Sequence, residues 1–160
     1  MRALWILAVS LAFVASPLAT LVQADNGGEN GGEEASPLSP PDYEAARKEL
    51  EAKNYVAAIH LLVQVVALEP RNADAFKDLG YCHLQLNQKE RALAYYKKAL
   101  AIDPWHRGAN EDLGELYLRL DDLDKAEERL VVLDGACLFG CEEYDNLKAA
   151  IEAYKQKTGS

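Results

Sequence analysis

One interval constrains this sequence more than any other feature. Small and closing residues recur 34 positions apart: Gly80 is matched by Gly114 and, less fully, by Ala46; Ala92 by Ala58 and Ala126; and Pro104 by Pro70. A fixed interval of this length marks a solenoid of helical hairpins, in which each unit buries its apolar face only against its neighbours. The unit is most complete between Ala73 and Pro104. Phe76, Leu79, Gly80, His83 and Leu86 follow one helical period, a turn falls at Asn87-Gln88, and Ala92, Leu93, Tyr96, Ala99 and Leu100 follow a second. Pro104 closes the unit, because proline lacks the N–H that a further helical turn needs.

Units are expected over about 39–72, 73–106 and 107–138. In the first, Pro40-Pro41-Asp42 starts a helix and Asn54 is expected to cap its partner. That partner, Val56 to Leu68, is apolar on nearly every side, broken by His60 and Gln64, and is expected to be buried on more than one side. In the second unit, Asn72 is expected to cap the first helix, and Asn87 with Glu90 resembles a capping box. Gly80 and Gly114 are expected to let the two helices of their pairs approach closely, which offsets the cost of about 1 kcal/mol that glycine brings to a helix. The third unit departs from the pattern. Glu127 and Asp134 stand where the second unit has Leu93 and Leu100, and Leu138 stands in place of the closing proline. A further amphipathic helix over 141–156, carrying Tyr144, Leu147, Ile151 and Tyr154, is expected to cover that end. The predicted fold is all-α: three helical hairpins and a capping helix.

These residues resemble the tetratricopeptide repeat (TPR) family. The middle unit supplies Phe76, Leu79, Gly80, His83, Ala92, Tyr96, Ala99 and Pro104 at the family's offsets. The third supplies Leu113, Gly114, Tyr117, Ala126, Leu130 and Leu133; the first supplies Ala45, Ala46, Ala58, Leu62, Val65 and Pro70. The resemblance implies an α-α superhelix that binds a protein or peptide along a concave groove and catalyses nothing. Carried over, the groove positions are Tyr43, Arg47, Leu50 and Glu51; Asp74, Lys77, Tyr81, Leu84 and Gln85; and Glu111, Glu115, Leu118 and Arg119. Arg47 and Lys77 would lie toward one end, Glu111 and Glu115 toward the other. Of the Lys/Asn set with which some TPR proteins hold a chaperone-tail carboxylate, only Lys77 is present, so an acidic Glu-Glu-Val-Asp tail is not the expected ligand.

The amino-terminal part differs in composition. Arg2 precedes an apolar run from Ala3 to Val22, and Val22-Gln23-Ala24 offers small residues for cleavage. We read 1–24 as a secretory signal peptide; an uncleaved anchor in the inner membrane is the alternative. Residues 25–40, rich in Gly, Glu, Ser and Pro, are expected to be a flexible acidic linker, and 41–157 the TPR domain. Export to the periplasm follows if the host is a Gram-negative bacterium. The formal net charge of the chain is −9, which disfavours nucleic acid and anionic lipid as partners.

Cys137 and Cys141, four apart beside Gly135 and Gly140, are expected to form a structural disulfide that pins the capping helix. A thiol-redox or Cu(I)-handling pair is the alternative, since soft thiolates select Cu(I). Cys82 reads as a core thiol. His60, His83 and His106 share no metal spacing, and His83 fills a packing position. Asp121-Asp122-Leu123-Asp124 lacks the closing Glu of a calcium loop and reads as a helix start. No cofactor motif and no catalytic constellation is found.

Overall fold

The computed structural model describes residues 42–159, so the expected signal segment and linker lie outside the described residues. The described chain is entirely helical: α1 (Tyr43–Glu51), α2 (Tyr55–Leu68), α3 (Ala73–Gln85), α4 (Lys89–Ile102), α5 (Arg107–Leu118), α6 (Leu123–Ala136) and α7 (Glu142–Thr158). Three hairpins, α1/α2, α3/α4 and α5/α6, stack through α2 on α3 and α4 on α5, and α7 closes the stack against α5 and α6. α2 ends two residues before Pro70, and α4 two before Pro104.

Local chemistry sets the helix starts. The Asp42 side chain accepts from the Glu44 N–H at 2.9 Å and Asn72 from that of Ala75 at 2.9 Å. Asp122 accepts from the Lys125 N–H at 3.3 Å, as its reading as a helix start required. His106 caps α5: its Nδ1 accepts from the Ala109 N–H at 3.2 Å while Nε2 lies 3.0 Å from Asp74. Two expected caps do not form. Asn54 occupies the cap position of α2, but its amide donates to Glu49 at 2.9 Å instead. Asn87 lies one residue before the α4 cap, which is Gln88.

The reason is the way each hairpin turns. Lys53, Asn87 and Asp121 have φ of 59°, 58° and 58°, in the left-handed region. Around each, the same pair of backbone bonds closes the preceding helix: Asn54 N–H to Glu49 and Lys53 to Leu50, Gln88 to His83 and Asn87 to Leu84, Asp122 to Tyr117 and Asp121 to Leu118. This is a Schellman motif repeated three times. Asn87 is committed to ending α3 and is not available to start α4.

The apolar core falls into two clusters. Ala46, Ala58, Leu62, Val65, Ala75, Leu79 and Cys82 join α1, α2 and α3. Leu84, Ala92, Tyr96, Leu113, Leu116 and Leu133 join α3 through α6, and Leu147 and Ile151 bring in α7. As expected, α2 is buried on more than one side, between its own partner and the second unit, while Val56, Val63 and Leu68 stay 59 %, 46 % and 65 % exposed. α2 packs on α1 and α3 only, so its third side has no helix against it among the described residues. Gly80 does serve its own hairpin, since a Cβ there would lie 2.6 Å from the Tyr96 ring of α4. Gly114 does not: its close neighbour is Leu147 of α7, also at 2.6 Å. Glu127, which breaks the apolar pattern of α6, pairs with Lys155 of α7 at 2.5 Å.

Candidate binding groove

The first helices of the hairpins bring their side chains to one open depression of about 570 Å³. α1 contributes Tyr43, Arg47, Leu50 and Glu51; α3 contributes Asp74, Lys77, Asp78 and Tyr81; α5 contributes Asp112. Register explains the convergence, because α1, α3 and α5 present the same helical face at successive repeats.

Charge is distributed unevenly within it. Asp78 is buried, accepts from the Tyr43 hydroxyl at 2.7 Å and pairs with the Lys77 ammonium at 2.7 Å. Burial and this hydrogen bond hold the Tyr43 phenol well above its ordinary pKa. The Lys77 pKa is raised: burial opposes its charge, but Asp78, Asp112 and Asp74 together outweigh that. Lys77 is therefore spent on an internal contact rather than presented to a partner. Arg47 points to solvent and pairs loosely with Glu44 at 3.8 Å. Asp112, partly buried on α5, makes no hydrogen bond or ion pair among the described residues; burial pushes its carboxyl up to about 7. Tyr81 stands at the rim, edge-on to Tyr55 with ring centres 6.1 Å apart.

The remaining predicted groove residues lie elsewhere. Glu115, Leu118 and Arg119 line a second depression of about 520 Å³ that they share with Ala150, Ala153, Tyr154 and Lys157 of α7. Glu111 accepts from the Asn146 amide of α7 at 2.9 Å, and burial raises its pKa. Leu84 is buried in the core, so it is not an anchor open to a partner, and Gln85 is exposed but lines neither depression. Asp78 and Asp112 were absent from the sequence-based set. Their signal was available, because Asp-Leu-Gly recurs at 78–80 and 112–114.

Cys137 and Cys141 meet across the α6–α7 loop with Cα atoms 5.6 Å apart, inside the range of about 4.4–6.8 Å that a disulfide takes. Between them Leu138 is largely and Phe139 fully in solvent. Cys82 is buried, and desolvation pushes its thiol up to about 12, as expected of an inert core sulfur. His83 is buried too, stacked on Tyr95 at 5.2 Å and bonded to Gln88 at 2.7 Å. Among the described residues no group of three or more His, Cys, Asp and Glu side chains is placed to hold a metal ion, and no helix is long and apolar enough to cross a membrane.

Two tetratricopeptide repeat models match this sequence, over residues 43–104 and 90–151, which together run from α1 into α7. The chain belongs to the tetratricopeptide repeat family. Solved TPR structures share its fold at low identity. The type III secretion translocator chaperone SycD of Yersinia enterocolitica superposes with a TM-score of 0.65 at 20 % identity, over 74 % of this chain and 83 % of that one. PcrH, in complex with the chaperone-binding region of PopD, gives 0.65 at 22 % over 72 % and 90 %. The Sgt2 TPR domain from Aspergillus fumigatus gives 0.65 at 23 % over 73 % and 76 %. No curated protein matches the sequence.

Proposed function

We propose that this TPR domain is a non-catalytic interaction module that holds a segment of a partner protein along α1, α3 and α5. The observation that carries the reading is the convergence of Tyr43, Leu50, Tyr81 and Asp112 on one open depression, with aromatic surface beside unsatisfied charge. The fold is compatible with it: SycD has been solved with a peptide of YopD, and the first TPR of Spaghetti with an HSP90 peptide. Tagged protein should retain a partner from its host extract, and Tyr81→Ala, which removes an exposed ring without opening the core, should release it. Retention of the same partner by Tyr81→Ala overturns the groove assignment.

We place the domain outside the cytoplasm, in the periplasm of a Gram-negative host, as an adaptor or scaffold. The Ala3–Val22 apolar run and the Ala24 junction support this. Amino-terminal sequencing of the mature protein should begin at Asp25; a chain beginning at Met1 in the membrane fraction overturns cleavage. In that compartment Cys137 and Cys141 form a disulfide that ties the end of α6 to the start of α7. Denatured, unreduced protein should then show one free thiol, that of Cys82, and a count of three overturns the bond.

A further inference from the structure

We infer that the depression formed by α1, α3 and α5 selects a cationic side chain, lysine or arginine, on the bound partner segment, with Asp112 as its counter-charge. The inference rests on the groove reading above and adds the chemistry of the occupant.

Four carboxylates, Glu51, Asp74, Asp78 and Asp112, line the depression against two cations, Arg47 and Lys77. The pairing within it is unequal. Asp78 takes both the Lys77 ammonium and the Tyr43 hydroxyl, so those three groups satisfy one another. Asp74 lies 3.0 Å from the Nε2 of His106, whose Nδ1 accepts from the Ala109 N–H, so Asp74 is engaged with the α5 cap. Arg47 is held at the solvent edge by Glu44. Asp112 makes no hydrogen bond or ion pair among the described residues, although the Lys77 charge acts on it.

A second observation concerns the core behind α3. Tyr96 of α4 is fully buried, and its hydroxyl has no hydrogen-bond partner among the described residues. Its ring crosses α3 at Gly80, and the charged and polar groups that act on the hydroxyl are Asp112 and Tyr81, which line the depression, and Arg119 and Glu115, which line the second one. A buried polar group that pairs with nothing is costly to keep. The Asp112 carboxyl, only partly buried, likewise makes no hydrogen bond or ion pair among the described residues.

The groups facing Asp112 are Lys77, Asp78 and Tyr81 from α3, Glu111 and Glu115 from α5, and Tyr96 from α4. Among them Lys77 alone is cationic, and its ammonium is committed to Asp78. An incoming ammonium or guanidinium would meet a carboxylate whose one cationic neighbour, Lys77, is already bonded to Asp78, beside the Tyr43 and Tyr81 rings, which also favour a cation. An anionic segment would meet four carboxylates. Asp112 must be ionised to act, so a cationic occupant takes up its charge and displaces its proton.

The test is calorimetric titration of the purified protein with a blocked octapeptide carrying two lysines among leucine and serine, beside the same peptide with glutamate in place of lysine. The lysine peptide should bind about tenfold or more tightly than the glutamate peptide, and its affinity should rise several-fold from pH 6 to pH 8. Asp112→Asn should lose most of that preference and its pH dependence. Glu152→Gln, the same change of charge on an exposed position of α7 outside the depression, should keep both. The carboxyl carbon of Asp112, followed by NMR in the wild-type protein, should titrate near 7 when free and about one pH unit or more lower with the lysine peptide bound, which does not depend on any variant folding. Equal weakening by Asp112→Asn and Glu152→Gln would assign the effect to overall acidity and overturn the inference. Equal affinity for the two peptides, both lost in Tyr81→Ala, overturns it while the groove reading stands. Binding of neither peptide overturns it as well, and the partner-retention experiment with Tyr81→Ala then judges the groove reading alone.

Discussion

At the scale of single residues, Asp112 links the groove to stability. Its carboxyl is neutral to about pH 7 when folded and to about 3.8 when unfolded, so the native state holds the extra proton between those values. Stability contributed by this group is full below the unfolded value and is lost as pH rises through the folded one. Asp112→Asn should therefore flatten the decline between about pH 4 and 7 and be the more stable protein at pH 8, by on the order of a few kcal/mol, in urea melts run at several pH values. Glycines offer a paired test. Gly80→Ala would push a methyl into the Tyr96 ring, and overpacking of about 1–3 kcal/mol should exceed the gain of up to ~1 kcal/mol in helix propensity. Gly108→Ala, near the start of α5 with its nearest neighbour 3.8 Å away, should be neutral or stabilising in the same melts.

Among the elements, α7 shows both what was legible and what was not. Its apolar period was plain in the sequence, and Leu147 and Ile151 are buried as that period required. Its partner at Gly114 was not legible, because the interval assigns Gly114 to its own hairpin while the last unit has a free neighbour position that α7 takes. Its cover over Glu111 was missed for the same reason, since an expected groove residue reads as exposed until the next helix is known. The hairpin turns misled in another way. Asn87 with Glu90 satisfies the pattern of a helix start, yet a left-handed backbone at Asn87 ends the previous helix, and residue types favourable at both ends do not say which one wins. The pairing of Asp78 with Lys77 was likewise hidden: adjacent charges read as a solvated face, and only the Tyr43 contact across repeats shows one of them to be interior. Energetically, α7 should depend on its core more than on its tether. Leu147→Ala should cost about 2–5 kcal/mol, whereas reducing the proposed Cys137–Cys141 bond should cost no more than ~2–3 kcal/mol, because the closed loop is short. Urea melts of Leu147→Ala and of wild-type protein with and without reductant compare the two.

For the whole stack, stability should grade along the chain. In a repeat array each unit is held by itself and its immediate neighbours. The buried residues of the first cluster come from α1, α2 and α3, with Tyr95 of α4 packed against them, and α2 leaves its apolar third side in water, whereas α5 is held by α4, α6 and α7. Native-state hydrogen exchange should find α1 and α2 opening at lower free energy than α4 to α6, and a single uniform opening energy would contradict the division into two clusters.

The left-handed turns at Lys53, Asn87 and Asp121 share a geometry without sharing a chemistry, and each lies 34 positions from the next. They behave as identical joints in a modular kit. Excising the stretch from one joint to the next, or duplicating it, would leave every seam at a conformation the chain already uses, so the array could gain or lose a whole unit without any surviving helix changing the face it turns inward.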